Sequence, residues 1–67
     1  MKIILNNTET ELSLNRMNIQ ELLNEKKFTF KMLVIKVNGV IVKKDDYETT
    51  MVNDGDKVDV IHLISGG

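Results

Sequence analysis

Gly66 and Gly67 close the sequence, separated by Ser65 from an apolar run that extends to Ile64, and they hold more chemical promise than any side chain. Lacking Cβ atoms, two glycines can thread a narrow channel in any backbone conformation and leave a terminal carbonyl carbon open to attack. A carboxylate is a poor electrophile until one oxygen belongs to a leaving group. Joined to AMP, it would accept a sulfur nucleophile or an amine. Gly67 is therefore the candidate reacting residue, with Gly66 and Ser65 as the arm that threads it into a partner.

The side chains offer less. The chain has no Cys and a single His, His62, around which no partner base is patterned. A structural zinc needs about four ligands, so one His makes no metal site by itself. No Gly-rich phosphate loop of the P-loop or dinucleotide kind occurs. The run Asn53-Asp54-Gly55-Asp56 looks like part of a calcium loop but lacks the remaining ligand spacing, and it reads as a hairpin turn. Asp45 and Asp46 are adjacent carboxylates with no supporting site. The chain is thus expected to be acted upon by an enzyme, not to be one, and to bind no metal or cofactor of its own.

Charge narrows the partners. Nine basic and ten acidic residues give a net charge of -1, spread along the chain. The doublets Lys26-Lys27 and Lys43-Lys44 each adjoin an acid, Glu25 and Asp45, so no footprint for nucleic acid or an anionic membrane appears. No apolar run approaches the ~20 residues of a membrane span, and the start lacks the features of a signal peptide. A soluble, cytoplasmic protein is expected.

The reacting end must be carried by a scaffold, and 67 residues suffice for one. The spacing predicts a domain over 1–64 and a flexible tail over 65–67. "MKIILNNTETELSL" reads as a hairpin, with a turn at Asn6-Asn7 and Thr10, Leu12 and Leu14 on one face. In "MNIQELLNE", Asn18 can cap a helix, Glu21 completes a capping box, and Met17 can staple onto Leu22. Ile19, Leu22 and Leu23 form its apolar stripe. "KMLVIKVNGVIVKK" holds two strands around Asn38-Gly39, the dipeptide suited to a tight hairpin, with Leu33, Ile35 and Val37 facing the core. "DDYETTMV" has no clear period and reads as a loop or helical turn with Tyr47 half buried. After Asp54-Gly55 comes a last strand with Val58, Val60 and His62 on one face and Ile61 and Leu63 on the other.

This order predicts an α+β domain, a mixed sheet of four to five strands with one main helix across one face. The last strand is apolar almost throughout, which suits a central position. Ile61, Leu63 and Ile64 have no evident internal cover and are the candidate partner-binding residues.

In order and spacing, "MKIILNN", "NIQELL", "VNGVIV", "NDGDKVDVI" and the closing Gly66-Gly67 resemble the sulfur carrier proteins of thiamine biosynthesis, members of the ubiquitin-like β-grasp group. The resemblance covers the whole chain. It departs where the family commonly has Pro-Arg and then Trp, here Lys43-Lys44 and Tyr47, and in "KKFTFKM", which is more strand-like than the usual linker. The resemblance implies parallel first and last strands, with the helix on Leu5, Ile35, Val37, Val58 and Val60. It also implies that Gly67 is adenylated by an E1-like adenylating enzyme using ATP and is converted to a thiocarboxylate with sulfur from a donor such as a cysteine desulfurase. The sulfur would then pass to thiazole synthase. A molybdopterin synthase small subunit shares this fold and tail, and a ubiquitin-like protein modifier would use the same carboxylate on lysine.

Overall fold

The computed structural model of the chain describes residues 1–28 and 32–63. Strand β1 (Lys2–Leu5) sends Ile3 and Leu5 inward and folds back on β2 (Thr8–Glu11) in antiparallel register, from Leu5↔Thr8 to Lys2↔Glu11. Asn6 and Asn7 link them at φ 51° and 66°. Two consecutive left-handed residues match the twist of a two-residue hairpin, and Asn tolerates that region better than most residues bearing a Cβ. Leu12 stays in the core, but Leu14 does not share its buried face: it is 47% exposed. The strand ends at Glu11, so strict alternation no longer places Leu14.

A two-residue strand, β3 (Met17–Asn18), leads into α1 (Ile19–Glu25). The predicted capping box is present. The next two orphan donors are also satisfied, Ile19 N–H by the Thr50 carbonyl and Gln20 N–H by the Tyr47 carbonyl. Met17 and Leu22 are both buried in one core, as a staple requires. At the other end Phe28 N–H donates to the Leu23 carbonyl and Lys27 N–H to that of Asn24, a Schellman closure with Lys27 left-handed. Phe28 packs half-buried against the core. The strand-like reading of "KKFTFKM" falls largely on 29–31, outside the described residues.

Strands β4 (Leu33–Val37) and β5 (Val40–Val42) form the expected hairpin over Asn38 and Gly39, at φ 51° and 85°. Ile35 is fully buried, with Leu33 and Val37 packed half-buried beside the core. The segment with no clear period holds a 3-10 turn (Lys44–Asp46), then Tyr47, more buried than expected at 9% exposure, and then strand β6 (Met51–Val52). β6 pairs antiparallel with β3 in a small second sheet that the sequence did not reveal, two residues being too few to display a period.

The chain ends its described part with β7 (Lys57–His62). The main sheet has the order β2-β1-β7-β4-β5, with β1 and β7 parallel and the other pairs antiparallel. The last strand is central, as its apolar run predicts. Ile19, Leu22 and Leu23 of α1 share one core with Leu5, Ile35, Val58 and Val60, and Val37 packs beside it. This is a β-grasp: five strands cradling one helix.

Candidate functional site

The site is built on β7. Val58 and Val60 point into the core, so the residues between and beyond them face away from α1. Ile61 lies opposite Val34 in the register with β4 and is 43% exposed; Leu63, just past the strand, is 45% exposed. The face that carries Ile61 continues to Val34, to Lys36 opposite Asp59, and across to Ile41 on β5. On this face Ile41, Ile61 and Leu63 are exposed, and Val34 is half-buried. His62 has the parity of Val58 and Val60 but is exposed, because it is the last residue of the strand. Ile64, Ser65, Gly66 and Gly67 lie outside the described residues.

The start of β7 is fixed by the Asp54-Gly55 turn, and the bonds there settle what its carboxylates do. Asp54 Oδ1 accepts from Lys2 N–H at 2.7 Å, Asp56 Oδ2 from Asn53 N–H at 2.8 Å, and Asp56 Oδ1 from Asn38 Nδ2 at 3.1 Å. Gly55 sits at φ 87° and donates to the Lys2 carbonyl. The acids tie the turn to β1 and to the β4–β5 hairpin, so they are structural. Among the described residues no cluster of His, Cys, Asp and Glu could hold a metal ion. Among the described residues no helix is long and apolar enough to cross a membrane.

Two contributors to β7 were not singled out from sequence. Asn6 Oδ1 accepts the Val60 N–H at 2.7 Å, and Asn38 Oδ1 accepts the Lys57 N–H at 2.9 Å. Both are the first residue of a left-handed turn, a signal visible in "NN" and "NG". That their carboxamides reach the central strand was not.

The sequence profile of the ThiS family matches residues 3–67. The chain belongs to the ThiS family. Its fold superposes on the crystal structure of thiamine biosynthesis protein ThiS from Geobacter metallireducens with a TM-score of 0.89, covering all of both chains at 25% identity. A solution structure of a thiamine biosynthesis protein from the same organism gives a TM-score of 0.81 at 26% identity, over the whole of this chain and 88% of that one. This ThiS-family chain is also 34% identical over its full 67 residues to a thiazole synthase of Paramagnetospirillum magneticum, of whose length it spans 20%. It is 32% identical over 53 residues to the uncharacterized protein ycf40 of Trieres chinensis, covering 79% of this chain and 73% of that protein.

Proposed function

We propose that this ThiS-family chain is a sulfur carrier of thiamine biosynthesis that works through the carboxylate of Gly67. The observation that carries the reading is the family match, which runs to residue 67 on a chain whose fold superposes along its whole length on ThiS. In the first step a Gly67 carboxylate oxygen attacks the α-phosphate of ATP on an E1-like adenylating enzyme. The α,β-phosphoanhydride bond breaks, pyrophosphate leaves, and an acyl adenylate forms. In the second, hydrosulfide-level sulfur attacks the carbonyl carbon, AMP leaves with the acyl oxygen, and the terminus becomes a thiocarboxylate. The chain has no Cys, so the sulfur would travel on the terminus alone.

Thiazole synthase is the proposed acceptor. Support comes from the P. magneticum thiazole synthase, a fifth of whose length is similar to this entire chain. Ile61 and Leu63, exposed just before the tail, would dock both enzymes, with Ile64 continuing that surface. The test is intact-mass analysis after incubation with the activating enzyme, ATP and a sulfur donor, followed by addition of thiazole synthase. A gain of sulfur that is lost to the synthase supports the reading. An isopeptide with lysine in place of a thiocarboxylate replaces it with a protein modifier, and transfer only to a molybdopterin precursor moves the chain to that pathway.

A further inference from the structure

Asn38 is tied to the start of β7 by its backbone and by both ends of its side chain. Its backbone N–H donates to the Lys57 carbonyl at 2.7 Å, its Oδ1 accepts the Lys57 N–H at 2.9 Å, and its Nδ2 donates to Asp56 Oδ1 at 3.1 Å. A backbone N–H only donates and a carboxylate only accepts, so the carboxamide has one orientation here, oxygen toward Lys57 and nitrogen toward Asp56. Asp56 is itself pinned, because its Oδ2 accepts the Asn53 N–H at 2.8 Å. The first residue of the β4–β5 turn is thus clamped between a backbone amide and a fixed carboxylate.

The same residue carries a labile group. Asparagine amides are thermolabile, and of the asparagines in this chain only Asn38 precedes a glycine. With no Cβ on Gly39, its backbone nitrogen can close on the Asn38 side chain. Both residues are exposed, and a Cβ at Gly39 would meet nothing within 4 Å, so water reaches the turn. The clamp opposes the reaction, for it directs the carboxamide toward β7 while Gly39 leads away into β5.

We propose that Asn38 is a self-modification site, whose clamp to Asp56 slows the reaction and is destroyed by its product. When the clamp opens, the Gly39 nitrogen attacks Asn38 Cγ, the Cγ–Nδ2 bond breaks, and ammonia leaves with the Gly39 proton. The cyclic imide then takes up water. Cleavage of the new Cγ–N bond yields aspartate, whereas cleavage of the original peptide bond yields isoaspartate. Aspartate sets an oxygen where Nδ2 had donated to Asp56, leaving two acceptors with no hydrogen between them. Isoaspartate adds Cβ to the backbone path and shifts Val40 from its register with Val37. Neither product lets the clamp re-form, and the turn that leads to the exposed Ile41 loses its tie to β7. This chemistry is independent of the carrier reading.

The test uses full chains incubated warm at neutral pH. Peptide mapping locates the mass gain of amide-to-acid conversion, and enzymatic methylation detects isoaspartate. Native wild type should convert at Asn38 ahead of every other asparagine, yet at least about tenfold more slowly than in denaturing urea. D56A, shown by circular dichroism to be folded, should convert at Asn38 about three- to tenfold faster than wild type. N38D reproduces the aspartate product, and its amide exchange at position 38 and at Lys57 should accelerate about five- to tenfold. In N38D/D56N the acid and the amide trade places, and exchange should return to within about twofold of wild type. If D56A does not fold, this last pair decides. Equal conversion in native wild type and in urea, or in wild type and folded D56A, would overturn the proposal. So would wild-type exchange in N38D, an unrescued double variant, or conversion first at another asparagine.

Discussion

Phe28 N–H donates to the Leu23 carbonyl at 2.9 Å and closes α1 over Lys27, whose φ is 58°. A left-handed residue with a Cβ costs roughly 1–2 kcal/mol, part of which glycine returns through its larger unfolded-state entropy. Lys27→Gly should therefore stabilise the protein by about 0.5–1 kcal/mol, read as a higher urea midpoint at unchanged slope. An unchanged or lower midpoint would mean that the lysine stem packs well enough to offset its backbone strain.

Val60 and Ile61 are neighbours with opposite duties. Val60 is 7% exposed in the core, whereas Ile61 is 43% exposed on the open face. Val60→Ala should cost about 1–3 kcal/mol, a large share of the margin of a small domain, while Ile61→Ala should stay within about 0.5 kcal/mol. Equal losses in denaturant titrations would show that Ile61 is a packing residue after all.

Docking is tested on the same face. Burial of one aliphatic side chain contributes about 1.5–3 kcal/mol, so Ile61→Asp and Leu63→Asp should each weaken association with the activating enzyme by roughly ten- to a hundredfold. Circular dichroism should report an intact fold in both. Unaltered adenylation kinetics in a folded variant would remove Ile61 or Leu63 from the interface.

Acid should reach the protein partly through Glu25. The Ser13 hydroxyl and then the Ser13 backbone N–H donate to its carboxylate, which holds its pKa below the usual value. A lowered folded-state pKa gives a contribution that is fully present above the unfolded pKa and lost as pH falls through the folded one. The stability difference between wild type and Glu25→Gln should therefore be flat at neutral pH and shrink as pH drops through the acid range below about 4.3. A pH-independent difference would mean that the Ser13 contact does not persist in solution.

Much of this architecture was legible because several signals agree at the same residues. Asn18 and Glu21 are spaced for a capping box, and the bonds form at 2.7 and 2.9 Å. Asn38-Gly39 names its turn, and the apolar run from Val58 places β7 in the centre. What escaped was non-local. β3 and β6 are two residues each and exist because Met17 meets Val52 across the fold, a pairing that no local period announces. Leu14 continued an alternation after its strand had ended. The reach of Asn6 to Val60 spans 54 positions and follows only once β1 and β7 lie parallel. For the site, the open position of Ile61 and Leu63 followed from strand parity, while the chemistry of Gly67 rests on the tail and the family.

That chemistry is tested most directly by intact-mass analysis of wild type beside a chain bearing one added Ala after Gly67, each incubated with the activating enzyme, ATP and a sulfur donor. The addition moves the carboxylate by about 3.5 Å, well beyond the placement that adenylation tolerates, and should leave the fold unchanged. Wild type should gain the mass difference between sulfur and oxygen at its terminus, and the extended chain should stay at its starting mass. Thiolation of both chains alike, or of neither, would contradict the assignment of Gly67 as the sulfur-bearing residue.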